Sequence, residues 1–240
     1  MYEHQYGYRH NKRSGYSVTG CRRADARQNR QTERFLKFQL SGSESSSPVT
    51  LTDDCYEGTS CLINKLGIKD ENLLNMMESH ITLAKISLLQ QNPIPGVFDF
   101  EHYKKIHEFI FEDLYDWAGT PRKVDISKKG TLFAKAKDIQ KIADACFERL
   151  KSKNYFKNLN TDEFIDEITD FYCVTNNLHP FREGNGRTQR VFLTQLALNA
   201  GYELDFSNLD TDRLMIATIH SANGIDTYLK EILREIIEPL

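Results

Sequence analysis

Apolar residues recur at helical spacing through most of the chain from residue 56 onward, and show no sustained period before it. Leu73, Leu74, Met77, Ile81, Ala84, Ile86, Leu88 and Leu89 predict a helix with Asp70 as its N-cap. Pro93 and Pro95-Gly96 end it, because proline lacks a backbone donor and crowds the preceding turn. Phe100, Tyr103, Ile106, Ile110, Phe111 and Leu114 predict a second helix to about Trp117. His102 and His107 lie five apart in it, off a common face, so they read as surface or boundary residues and poor partners for one ion. Ile139, Ile142, Ala143, Cys146, Phe147 and Leu150 predict a third helix. Thr161 offers the cap of a fourth, with Phe164, Ile168, Phe171, Thr175 and Leu178 on one face. That helix runs into His179-Pro180, and proline disfavours the α conformation just before it, so His179 marks the end. Val191, Phe192, Leu196, Ala197 and Ala200 predict the next helix, closed by Gly201 at C′. Two more, about Thr211–Ala222 and Thr227–Ile237, complete the series, and no internal repeat is visible.

One stretch alternates instead. Val124 and Ile126 are separated by polar residues, Lys129-Gly130 suits a tight turn, and Leu132-Phe133 returns. This is the only hairpin signal, and a lone hairpin must lean on the helical body. Its edge is a natural place for a peptide to add as a further strand. The expected fold is all-α, a helical bundle with one β-hairpin flap and a flexible N-terminal extension. The boundary falls between residues 1–55 and 56–240, where Ser41-Gly42-Ser43-Glu44-Ser45-Ser46-Ser47-Pro48 reads as linker.

Charge sharpens that division. Residues 1–40 hold nine Lys/Arg against three acids, a surplus of six, so the other 200 residues carry 22 basic against 31 acidic groups, a net of -9. The basic arm is a candidate partner-binding or transport segment. The overall charge of -3 argues against a protein that coats nucleic acid, and no direct nucleic-acid binding is expected. No apolar run reaches the ~18 residues of a membrane span, and no secretory signal is visible, so a bacterial cytoplasmic location is expected. The five cysteines lack a C-x-x-C pair and read as reduced thiols.

The chemistry concentrates in twelve residues, His179 to Arg190. Gly184 and Gly186 permit a tight turn with exposed N–H groups at a helix N-terminus, which is an anion site. Arg187 and Arg190, three apart, share a face near that end and suit a di- or triphosphate. Glu183 beside an anion site calls for a divalent cation, since one carboxylate plus phosphate oxygens is the usual Mg²⁺ arrangement. His179 can accept a proton from a hydroxyl near neutral pH. Phe181, between polar neighbours, points inward as the loop's anchor. Taken singly, each has a plainer role: His179 a helix cap, Glu183 a dipole partner, the arginines a solvated face. Their conjunction in one order is what carries the functional reading.

His179-Pro180-Phe181-Arg182-Glu183-Gly184-Asn185-Gly186-Arg187 resembles the complete H-P-F-x-[DE]-G-N-[GK]-R signature of the Fic family, and Arg190 matches its second, downstream arginine. The similarity extends to Asn64-Lys65-Leu66-Gly67, Asp116-Trp117-Ala118-Gly119 and Ile126-Ser127-Lys128, covering about residues 56–240. The resemblance implies transfer of AMP from ATP to a Tyr, Thr or Ser hydroxyl of a target protein, by a bacterial toxin or effector. His179 would be the general base and Glu183 the Mg²⁺ ligand. Gly184, Asn185 and Gly186 would cradle the phosphates, and Arg187 and Arg190 would engage their β/γ end. Lys128 and Lys129 would border the nucleotide on a flap, Ile126–Phe133, that clamps the target. Translocation as an effector is compatible with the same family. Members are commonly restrained by an [S/T]-x-x-x-E-[G/N] helix. The only S/T-x-x-x-E here, Thr227 to Glu231, is followed by Ile232 and reads as an ordinary amphipathic helix with Leu229, Ile232 and Ile236 inward. No built-in inhibitor is expected, and a separate small antitoxin is a candidate partner. Transfer of UMP or GMP, or non-catalytic nucleotide binding, remain the alternatives.

Overall fold

Residues 54–240, apart from Lys129, Gly130 and Asn208, are described by a computed structural model. Along the chain run α1 (Glu71–Gln91), α2 (Phe100–Phe111), β1 (Ser127–Lys128), β2 (Thr131–Leu132), α3 (Ile139–Ser152), α4 (Thr161–Leu178), α5 (Asn185–Ala200), β3 (Tyr202–Leu204), α6 (Thr211–Ala222), α7 (Thr227–Ile236) and β4 (Ile237–Pro239). Helix α5 packs against both α2 and α4, while α1 lies on α2 and α7 lies on α4 and α6.

The reason α5 sits centrally is its apolar side. Phe192 is fully buried and meets Phe98, Tyr103, Phe147 and Phe171 at ring-centroid distances of 5.2–5.7 Å. Such pairs contribute roughly 0.5–1.5 kcal/mol each beyond simple burial. Gln189, also buried, donates to Tyr172 O at 3.0 Å and Thr175 Oγ1 at 2.7 Å, which fixes α5 against α4. The N-terminus of α5 is thereby held on a rigid scaffold.

The helical pattern is confirmed, with local corrections. Asp70 caps α1 by accepting from Leu73 N–H. The cap of α4 is Asn160 rather than Thr161, in a reciprocal capping box with Glu163. Helix α2 ends at Phe111, not near Trp117, because Leu114 and Tyr115 bury themselves from turns after it. A turn can present apolar residues at near-helical spacing, so periodicity overran the true end. His102 and His107 are both buried, 5% and 0% exposed, which corrects their reading as boundary residues. The hairpin forms as expected, with Ser127 opposite Leu132 and Lys128 opposite Thr131. Its turn residues Lys129 and Gly130 lie outside the described residues. A second antiparallel pair, β3 with β4, was not predicted; three-residue strands are too short to display alternation. Cys55 already bridges Leu62 at the start of the described body, whereas the Ser-rich linker and basic arm lie outside it. Among the described residues no helix is long and apolar enough to cross a membrane.

Candidate active site

Between α4 and α5 the chain turns through six residues, His179 to Gly184, that are pinned from several sides. His179 adopts φ 41°, ψ 60° as the C-cap of α4, while its N–H still reaches Thr175 O at 3.2 Å. A left-handed histidine costs on the order of 1 kcal/mol and persists because its surroundings hold it. Phe181 is fully buried, stacked on His107 at 3.7 Å and on Tyr103 at 5.8 Å, as its anchoring role requires. Asn185 then staples the loop: its Oδ1 accepts Phe181 N–H and its Nδ2 donates to Phe181 O, both at 2.8 Å. The Asn185 side chain is thus spent on the loop itself, leaving its backbone N–H as what it can offer a ligand. Gly184 has φ 78°, and a Cβ there would overlap the Phe111 ring. Only glycine lets the chain pass so close to that ring in that conformation.

The consequence is an α-helix that begins abruptly. The first-turn N–H groups of α5, from Asn185, Gly186 and Arg187, have no intrahelical acceptor by geometry and lie at the positive end of the helix dipole. These are the N–H groups that the sequence reading assigns to an anion site. Arg190 stands one turn further along α5, half-buried.

His179 Nδ1 lies 3.2 Å from Asn176 O. A carbonyl only accepts, so Nδ1 carries the hydrogen and Nε2 the lone pair. The imidazole is stacked on Phe133 of the flap, centroids 3.8 Å apart and 15° from parallel. Tautomer and ring plane are therefore both set, which suits a proton acceptor.

Glu183 is half-buried, and its Oε1 accepts Gly184 N–H at 2.7 Å. The same oxygen lies 3.4 Å from Arg187 Nη2. Among the described residues no group of three or more His, Cys, Asp or Glu side chains is placed to hold a metal ion. A single carboxylate beside an anion-binding turn fits a Mg²⁺ that takes its remaining ligands from phosphate and water.

Arg187 is placed differently from the simple expectation of a side chain reaching for phosphate. Its Nη2 forms an ion pair with Glu78 of α1, its Nη1 donates to Thr82 Oγ1 at 3.2 Å, and its guanidinium covers the Phe111 ring at 4.8 Å. The Glu78 carboxylate also accepts from the buried Tyr115 hydroxyl. Side-chain exposures of 16% and 8% make this a buried pair, whose disruption from one side costs about 3–5 kcal/mol.

Three further residues, Glu78, His107 and Arg122, shape the site and were not assigned to it from the sequence. Glu78 lies on the buried stripe Leu74, Glu78, Thr82, Ile86 of α1. A charged residue at i+4 from buried apolar positions was the available signal. His107 accepts Gly119 N–H at Nδ1, 2.8 Å, and donates from Nε2 to Glu183 O, 3.0 Å. It joins the Trp117–Gly119 turn to the loop, and burial lowers its pKa to about 3. Arg122, 6% exposed, donates to His179 O at 2.8 Å, Val124 O at 2.7 Å and Ala134 O at 2.5 Å. One guanidinium thus ties both arms of the flap to the end of α4. No sequence pattern announced this, because all three acceptors are backbone carbonyls.

The flap is joined to the site from its return side, where Ala134 N–H donates to Asn177 O at 2.9 Å. Leu132 is 79% exposed. Lys128 lies on β1, but its side chain, like the whole of Lys129, falls outside what is described.

This loop, its scaffold and its flap belong to a mostly α-helical fold with a small hairpin beside the N-terminus of α5. Residues 97–197 match the Fic/DOC family, and the chain belongs to that family. It is 37% identical over 176 residues to protein adenylyltransferase VbhT of Bartonella schoenbuchensis, covering 73% of this chain and 37% of that protein. It is 38% identical over 171 residues to the probable protein adenylyltransferase y4lH of Sinorhizobium fredii, covering 71% of this chain and 88% of that one. The crystal structure of BepC, a VirB-translocated effector of Bartonella tribocorum with bound AMPPNP, superposes with a TM-score of 0.75 at 30% identity, covering 78% of this chain and 97% of that one. The chain spans little more than a third of the length of VbhT and most of the length of y4lH.

Proposed function

We propose that the protein transfers AMP from ATP to a Tyr, Thr or Ser hydroxyl of a target protein. The observation that carries this reading is His179: its Nδ1 lies 3.2 Å from Asn176 O, which assigns the lone pair to Nε2, on the residue that opens the loop leading into α5. Protein relatives named adenylyltransferases over most of this chain support the nucleotide and the reaction class.

In this mechanism the acceptor hydroxyl oxygen attacks the α-phosphorus of ATP as His179 Nε2 takes its proton. The bond from the α-phosphorus to the α,β-bridging oxygen breaks, and pyrophosphate leaves. First-turn amides of α5 bind the phosphates, joined by Arg187 and Arg190 at the β/γ end. Glu183 would hold Mg²⁺, which when bound neutralises charge on the phosphate oxygens. The flap, Ile126–Phe133, receives the target by strand addition, so that the hydroxyl reaches His179. Lys128 and Lys129 border the nucleotide from the same flap. The setting is a toxin or effector acting in the bacterial cytoplasm or after translocation, with a small antitoxin as its restraint.

The test uses a bacterial or host lysate and ATP labelled on the α- or the γ-phosphate. Label should pass to protein from the α position only, and His179→Ala should lower transfer by about 10²–10⁴-fold while nucleotide still binds. Label arriving from the γ position would overturn the reading in favour of phosphoryl transfer. Binding without any transfer would leave an interaction module, and preference for labelled UTP or GTP would change the group transferred.

A further inference from the structure

We propose that Glu78 is a positioning residue for nucleotide binding, acting through Arg187. The inference rests on the reading of Arg187 as a phosphate ligand. Glu78 is far from the loop in sequence, 109 residues from Arg187, and on a different helix. Its carboxylate nonetheless faces the guanidinium inside the fold, oriented in turn by the Tyr115 hydroxyl. Thr82 Oγ1, one turn along α1, takes the second Arg187 nitrogen at 3.2 Å, and the Phe111 ring closes one face at 4.8 Å. A guanidinium fixed on these sides has lost most of its rotamer freedom before any ligand arrives. Phosphate then meets a donor already aimed, and the ordering cost falls outside the binding step.

An opposite role is conceivable for an acid on a motif arginine: a gate that withholds it from phosphate. Two observations favour positioning. Glu78 is nearly buried in mid-helix, with Leu74 and Ile86 of the same stripe packed inward, so it cannot swing away without moving α1. Arg187 is also its only cationic partner among the described residues, so release would strand a buried carboxylate. Neither neighbour fits the inhibitory pattern: Leu74 stands four residues before Glu78 and Ser79 directly after it.

The two roles differ in sign, because removing a negative charge beside a phosphate site should tighten binding unless that charge orients a ligand. The experiment measures the Kd of a non-hydrolysable ATP analogue with Mg²⁺ by calorimetry, and KM and kcat for AMP transfer. Glu78→Gln should weaken nucleotide binding about tenfold and raise the nucleotide KM alike, with the KM for the protein acceptor unmoved. Arg187→Gln should weaken binding, and Glu78→Gln should add nothing in the Arg187→Gln background. Tyr115→Phe keeps the ring and removes the orienting hydroxyl; it should weaken binding in the same direction by less, which preserves the test if Glu78→Gln does not fold. Tighter binding or faster transfer in Glu78→Gln would overturn the proposal, as would equal losses in both backgrounds or no change. Wild-type protein that binds no nucleotide would sink the underlying reading of the site, whereas binding that Glu78→Gln leaves unaltered sinks this inference alone.

Discussion

The loop from His179 to Arg190 and the flap from Ile126 to Phe133 face the same site but are built in opposite ways. The loop is held by buried partners: Phe181 lies between aromatic rings, Asn185 closes back on Phe181, His107 holds Glu183 O, and Glu78 holds Arg187. The flap is short and outward-facing, with Leu132 at 79% exposure, and it connects to the body through Arg122, Ala134 and Phe133. Phosphate chemistry is the same for every acceptor, so its residues can be locked in place. In the proposed mechanism a protein target, which varies in surface, is met by an open strand edge. On that proposal the division separates catalytic geometry from recognition, and it predicts that substitutions in the two regions fail differently.

The largest effect is expected at Gly184, where backbone conformation and close packing both exclude a side chain. Gly184→Val places a branched side chain at φ 78° and into Phe111. Left-handed strain and overpacking together should remove about 4 kcal/mol of stability and abolish transfer, measured by denaturant unfolding beside the labelling assay. A well-folded, active Gly184→Val protein would break the contrast at its strongest point.

His107 provides a pH-dependent test of the same region. Burial lowers its pKa from 6.5 to about 3, so the folded state keeps it neutral while the unfolded chain protonates it near 6.5. Its contribution is therefore complete above about pH 6.5 and lost as pH falls from there toward 3. His107→Phe should remove that component of the stability–pH curve and cost about 2–3 kcal/mol at neutral pH, since Gly119 N–H and Glu183 O lose their partner. Thermal unfolding from pH 7.5 to 4 checks both; an unchanged slope would separate His107 from the acid sensitivity.

The smallest stability effect belongs to the flap. Leu132→Asp should change stability by less than about 0.5 kcal/mol and leave nucleotide affinity intact. It should raise the KM for the protein acceptor severalfold, because an apolar edge position becomes charged. If nucleotide affinity falls instead, the flap belongs functionally with the loop.

Much of this was legible along the chain because it is local. Apolar helical spacing marked α1 to α5, Asp70 and Gly201 punctuated two of them, and His179-Pro180 located the end of α4. The loop residues are consecutive, so their chemistry could be read together. Where apolar residues continued through turns after Phe111, the same periodicity misplaced the end of α2. The histidines of α2 were misjudged because spacing states which face a residue shares, not what covers that face.

The sequence by itself determined the family signature, the helical scaffold and the hairpin, and it named the candidate acid–base and anion-binding residues, all read from neighbours within a few turns. Only the tertiary structure decided that Glu78 meets Arg187, that His107 spans from Gly119 to Glu183, that Arg122 joins the flap to His179, and that β3 pairs with β4. Each of these links groups distant in the chain, and several use backbone atoms that every residue carries. Their specificity comes from burial, which makes an unpaired charge or amide costly, and burial is a property of the packed chain as a whole.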